Sequence, residues 1–179
     1  MKILTLDVES TIFQYPGNRK PSDKRGHPLS TYNKLMSIVV KWMDKSPEFI
    51  YKPEEKYYNL YLETQLNTAD IVVGFNIKYD LHWLNRLGVD VLSIKQVWDC
   101  QLAEFMLESQ RNPYPSLNQA CEKYGLPLKL DEIKTEYWDK GIDTDEIPRP
   151  TLQEYNEYDV ICTENVFKHQ YKQFTGIDL

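Results

Sequence analysis

Residues 3–9, Ile3-Leu4-Thr5-Leu6-Asp7-Val8-Glu9, constrain this chain more than any other stretch. They are apolar or β-branched up to the two acids, with no glycine or proline, and read as a β-strand. A near-continuous apolar strand fits a sheet covered on both faces. Side chains alternate across a strand, so Asp7 and Glu9 point to one face. Two carboxylates side by side at the end of such a strand repel each other unless positive charge lies between them. Taken alone, an Asp-x-Glu is more often a strand running out into a solvated acidic turn than a site. What later elements bring to the same place decides between these readings.

The chain has 179 residues, 41% of them hydrophobic and 13% aromatic, which suits one α/β domain with a real core (residues 1–179) and not a disordered chain. The formal net charge of −6 argues against simple electrostatic capture of nucleic acid. Of the 27 acidic side chains, four are candidate ligands, which leaves 23 against 21 basic ones, and bound divalent ions would reverse the local field. Cys100, Cys121 and Cys162 have no Cys-x-x-Cys spacing and read as buried thiols of a reducing compartment. Met1-Lys2 leads straight into a strand, and no apolar run reaches the length of a membrane span. The expectation is a soluble protein of the cytoplasm (the host cytoplasm if the source is viral), with no membrane partner.

After the first strand, residues 11–33 form a long polar stretch with Pro16, Gly17, Pro21, Gly26 and Pro28. The basic loop at 14–33 carries Arg19, Lys20, Lys24 and Arg25, which suits either phosphate contacts or a solvated tip. Residues 34–42 and 48–51 read as two strands of an antiparallel hairpin. A helix over 55–67 and a buried strand over 70–75 make a crossover to a parallel pair. A helix then carries Asp80 in its first turn, where the helix dipole alone would favour a carboxylate, and stops at Gly88. A short strand or turn over 96–99 and a helix over 101–109 follow. Ser116 and Gly125 bracket the next helix, and residues 126–150 read as an irregular, charged excursion. The last helix spans about 151–171, with Leu152, Val160, Val166 and Phe167 in its apolar stripe. Tyr155 and Asp159 lie four apart on one face of it. Burying an unpaired Asp159 would cost several kcal/mol, so it needs a partner.

Asp7, Glu9, Asp80 and Asp159 thus all call for positive charge. Oxygen-only clusters suit hard ions such as Mg²⁺ or Mn²⁺; zinc favours His and Cys, and His27, His82 and His169 are scattered. Two such ions held by shared carboxylates form a device for phosphodiester cleavage.

These residues resemble the three motifs of the DEDD superfamily of 3′→5′ exonucleases. The first is Leu6-Asp7-Val8-Glu9-Ser10, the second Asn76-Ile77-Lys78-Tyr79-Asp80, the third Tyr155-Asn156-Glu157-Tyr158-Asp159. The resemblance covers about residues 2–173 and implies a ribonuclease-H-like mixed sheet with helices on both faces and two-metal hydrolysis. Tyr155 stands four before the last Asp, and Glu154 occupies the place that a histidine base takes in the other branch, so the resemblance is to the tyrosine branch. Trp98-Asp99-Cys100-Gln101 and Gly141-Ile142-Asp143-Thr144 look most similar to the proofreading domain of phage-type family A DNA polymerases.

The resemblance implies that Asp7 bridges two divalent ions, Mg²⁺ or Mn²⁺. It gives Glu9 and Asp159 the water-activating ion and Asp80 the second, and Tyr155 orients the attacking water. It also implies substrate contacts by Ser10, where relatives often have Thr, by Asn76, and by Phe13 or Ile12 as a wedge beside the terminal base. The expected activity is release of nucleoside 5′-monophosphates from single-stranded DNA 3′ ends, alone or proofreading in trans with a separate polymerase. The alternatives are 3′ RNA trimming of the ribonuclease D kind and a non-catalytic polymerase accessory module.

Overall fold

The computed structural model describes residues 1–13, 24–53 and 57–179. One five-stranded mixed sheet has the order β3-β2-β1-β4-β5. Its strands are β1 (Ile3–Ser10), β2 (Leu35–Trp42), β3 (Glu48–Tyr51), β4 (Ile71–Gly74) and β5 (Val97–Asp99). β1 and β2 pair antiparallel with Leu6 opposite Val40, and β2 and β3 form the expected hairpin. β4 runs parallel to β1 and to β5. The sheet, its hairpin and its parallel half therefore agree with the sequence reading.

Alternation along β1 divides the core. Leu4, Leu6 and Val8 face α1 (Asn59–Thr68) and α2 (Lys78–Leu87), packing with Leu62, Leu66, Trp83 and Leu84. Ile3 faces the other side, where α3 (Cys100–Leu107), α4 (Leu117–Tyr124) and α6 (Arg149–Thr175) contribute Cys100, Ala120, Cys121, Val166 and Phe167. Helices thus cover both faces, and Asp7 and Glu9, in phase with Ile3, look toward α6. All three cysteines are free and buried. No helix among the described residues is long and apolar enough to cross a membrane.

Several boundaries shift for identifiable reasons. α6 starts at Arg149, not 151, because Pro150 sits in the first turn, where its missing N–H leaves no bond unmade. It continues to Thr175 and stops where Gly176 takes a left-handed conformation. α1 begins at Asn59; the expected start at 55 falls among residues outside the described ones, as do residues 14–23 of the basic loop. Lys24, at the described end of that loop, pairs with Asp139. The supposedly irregular 126–150 contains a short helix, α5 (Glu132–Glu136), and two 3₁₀ turns. Ser116 and Gln119 form a capping box on α4, which Gly125 ends as expected.

The second 3₁₀ turn anchors the exit of β1. Asp143, only 4% exposed, accepts hydrogen bonds from the N–H groups of Ile12 at 2.8 Å, Thr144 at 2.7 Å and Phe13 at 3.4 Å. Burial pushes its carboxyl up from the ordinary range, against these N–H donors. Asp143→Ala would leave donors buried and unpaired at about 1–3 kcal/mol each. Urea denaturation is expected to show that loss of stability, and Asp143→Asn is expected to recover part of it.

Candidate active site

The C-terminal part of β1 runs past the end of β4, since their pairing covers only Ile3 to Thr5. The Val8 N–H on that open side donates to Asp80 Oδ1 at 3.0 Å. The first turn of α2 thus locks Asp80 to the strand that carries the acid pair. From the other face, α6 delivers Asp159. Asp7, Glu9 and Asp159 each offer an oxygen within 4.8 Å of the others. All four acids line one cleft of about 460 Å³, together with Phe75, Asn76, Lys129, Asp131 and Lys134.

Like charges this close, withdrawn from water, resist ionisation. Burial raises the Asp7 carboxyl to about 8, with the Asp159 charge adding to the effect. Burial likewise holds Glu9 and Asp80 well above the carboxylate range, in each case reinforced by Asp7. Asp159 is also raised by burial, although the Lys129 ammonium opposes the shift.

Two residues complete the site that sequence reasoning missed. Lys129 donates to Asp159 Oδ2 at 2.8 Å and to the Tyr155 hydroxyl at 2.7 Å, and its ammonium lies 4.8 Å from the centre of the Tyr155 ring. Asn156, fully buried, donates through Nδ2 to Asp7 Oδ2 and accepts from Ser37 Oγ at 2.8 Å. It fixes the Asp7 rotamer from α6. Asn156 stands three before Asp159, so asking which polar residues share that helix face would have found it. Lys129 had no such signal, as one lysine in a charged, aperiodic stretch.

The structure brings Asp7, Glu9 and Asp159 together, with Asp80 beside them. Tyr155 is 3% exposed, packed edge-on to Trp138, and reaches the cleft through Lys129. Burial pushes its phenol well up, and the acids around it add to this. Asn76 lines the cleft in a left-handed conformation (φ 59°), its N–H donated to Asp99 Oδ1 at 3.0 Å. Ser10 and Phe13 are not among the cleft-lining residues. Ser10 is buried and shares a 2.7 Å hydrogen bond with the hydroxyl of Tyr79, which does line it. Gly26 passes so close that an added Cβ would lie 2.4 Å from the Tyr79 oxygen. Phe13 is 5% exposed and forms a bridge with Lys24, a packed position and not a free wedge.

The donor set fits a hard divalent cation. It is all oxygen, and Asp159 Oδ1 is buried with no hydrogen-bond partner among the described residues.

No protein-family model matches the chain, and no curated protein sequence matches it significantly. Solved structures do. An apo nuclease superposes with a TM-score of 0.66 at 14% identity, over 96% of this chain and 72% of that one. Brucella melitensis NrnC with bound Mg²⁺ gives 0.60 at 15% identity, over 97% and 75%, and the same protein has been solved bound to pGG. The family B DNA polymerase of Pyrobaculum calidifontis gives 0.56 at 18% identity, over 97% of this chain and 24% of the polymerase. At such identities the likeness establishes the fold. It is the α/β, ribonuclease-H-like fold of nucleases.

Proposed function

We propose that this protein is a divalent-metal-dependent 3′→5′ exonuclease of the tyrosine branch, acting on single-stranded DNA ends. The observation that carries the reading is the convergence of Asp7, Glu9 and Asp159 within 4.8 Å in a cleft shared with Asp80. The Mg²⁺ bound by the NrnC neighbour supports the choice of ion.

Asp7, Glu9 and Asp159 would hold a divalent ion, and Asp80, beside them in the cleft, would help hold a second. Bound divalent ions supply the charge that lowers the pKa of a water and steadies the leaving oxygen. The chain's own residues do the rest. Asn156 keeps Asp7 in one rotamer, and the Val8 N–H does the same for Asp80. The Tyr155 hydroxyl, held by Lys129 beside Asp159, orients the water, and Asn76 and the Ser10–Tyr79 pair take the terminal nucleotide. Tyr155→Phe is expected to slow cleavage by about 10²-fold while leaving the metal-induced rise in Tm intact. An unchanged rate would remove the role given to the hydroxyl.

The test is a 5′-labelled DNA strand with Mg²⁺ or Mn²⁺, which should shorten one nucleotide at a time from its 3′ end. Absence of metal-dependent products, or internal cuts alone, would overturn the reading. RNA of the same sequence is the second arm. Because a neighbour of this fold has been solved with pGG, a dinucleotide is included among the substrates. Retention of all four acids and the tyrosine argues for catalysis over a passive accessory role. Adding a polymerase lacking its own nuclease, with a mismatched primer, tests proofreading in trans.

A further inference from the structure

Outside the acid cluster, two residues from the cleft-lining Ser116, stands an aromatic side chain in an unusual setting. Tyr114 is 56% exposed, yet it lies between Pro113 and Pro115. Proline fixes its own φ and restricts the residue before it to extended conformations, so this loop has little freedom left. Pro115 is buried, and its carbonyl accepts from Gln101 Nε2 at 2.9 Å; the capping box of α4 starts at the next residue. At the other end, Ser109 and Gln110 both adopt left-handed backbone (φ 58° and 59°), a costly conformation for residues with a Cβ. Phe105 backs the Tyr114 ring at 4.5 Å between centroids, and the ammonium of Lys78 lies 6.0 Å from it. A rigid loop that turns a supported aromatic ring outward is the reverse of what burial of apolar surface would select.

Its place in the fold says what it faces. Lys78 lies between Asn76 and Tyr79, which line the cleft at the start of α2, and Tyr114 lies two residues before Ser116, which lines it at the cap of α4. The Lys78–Tyr114 contact therefore joins the start of α2 to the segment that leads into α4, next to residues of both that line the cleft. We propose that Tyr114, backed by Phe105 and flanked by Lys78, is a stacking subsite for a nucleobase 5′ of the scissile phosphate in single-stranded DNA or RNA. The ring takes the base through its π-face without reading sequence. Lys78, exposed and on a flexible stem, moves from the ring to the adjoining phosphate. Rigidity of the loop lowers the ordering cost of binding.

This inference rests on the nuclease reading but is measured apart from it. Binding of a 5′-fluorescein oligothymidylate in Ca²⁺, which supports binding without turnover, is followed by anisotropy. Tyr114→Ala is expected to weaken binding about 10-fold, Tyr114→Trp to retain it, and Lys78→Ala to weaken it with a shallower salt dependence. Hydrolysis of thymidine 5′-(p-nitrophenyl phosphate), which has no upstream base, serves as the comparison, and its loss in Tyr114→Ala should be several-fold smaller than that of oligonucleotide binding. Failure of wild type to hydrolyse both the p-nitrophenyl ester and, once Mg²⁺ replaces Ca²⁺, the oligothymidylate would sink the nuclease reading and leave the anisotropy result standing. Equal affinity of wild type and Tyr114→Ala would overturn the subsite. So would no oligonucleotide binding by wild type, or equal losses on both substrates with a lowered Tm, which would mark Tyr114 as structural.

Discussion

Asp7→Asn is expected to abolish metal-dependent cleavage while making the metal-free protein more stable. Asp7 is the acid at which the others meet: Asp159 and Glu9 lie within 4.8 Å, and Asp80 is bonded to the next residue of its strand. Removing its charge forfeits several kcal/mol of transition-state stabilisation, about 10³-fold or more in rate. The stability effect has the opposite sign. Burial and the Asp159 charge lift the folded Asp7 carboxyl to about 8, above its unfolded value of 3.8. A group raised in this way contributes stability that is complete below its unfolded pKa and lost as pH rises through the folded one. Without metal, the wild-type Tm should therefore fall between about pH 4 and about pH 8, and Asp7→Asn should flatten part of that fall. An asparagine still offers Asn156 Nδ2 a carbonyl oxygen in place of the Asp7 oxygen, so the anchor survives. Mg²⁺ or Mn²⁺ should raise the wild-type Tm, most at the alkaline end, and leave the variant nearly unmoved. Scanning calorimetry of both proteins with EDTA or Mn²⁺ checks this. A variant less stable than wild type at every pH would mean that the acids are not opposed in the metal-free fold.

What could be read from the sequence follows how local each signal is. The phase of β1 predicts that Asp7 and Glu9 share a face, and the structure shows Ile3 of the same phase packed under α3, α4 and α6. Ser116 and Gly125 mark α4 through cap chemistry written in adjacent residues. Asp159 was legible as an anomaly, a carboxylate on an otherwise apolar helix face. The long-range partners were not legible. Asn156 is buried against Ser37 and Asp7, more than a hundred residues away in the chain, and nothing near it announces them. α6 is buried on several sides and encloses Thr163, Glu164 and Gln170, so polar residues in its sequence do not mark its solvent face. Glu164 is held by the buried Lys41 and by Lys168. Phe13 suits a wedge by its place after the first motif; the Asp143 anchor on the backbone of Ile12 and Phe13 ties that segment down instead.

Lys129→Met is expected to separate the two ways of neutralising this site. Lys129 is the cation that Asp159 and Tyr155 hold in the metal-free fold, with 23% of its side chain exposed against 8% for Asp159. The acids around it raise its pKa despite its burial, so it stays charged wherever they do. Methionine keeps the apolar stem over the Tyr155 ring and removes the ammonium alone. Removing one partner of a buried pair costs about 3–5 kcal/mol, because the other charge stays behind unpaired. That cost requires Asp159 to be ionised. Its folded pKa lies above the ordinary value already, and losing the lysine raises it further, so protonation at low pH should relieve the penalty. The loss of Tm should therefore be largest in EDTA at alkaline pH, shrink as pH falls, and shrink again on adding Mn²⁺. Divalent ions replace the missing charge, and the variant should gain more Tm from them than wild type does. The alternative is that Lys129 acts through packing alone, in which case the loss would be the same in EDTA and Mn²⁺ and flat in pH. Double substitution with Asp159→Asn separates these outcomes without metal. If Lys129 is the counter-ion, the two changes together should cost less than their sum, since the double variant leaves neither member of the pair behind alone.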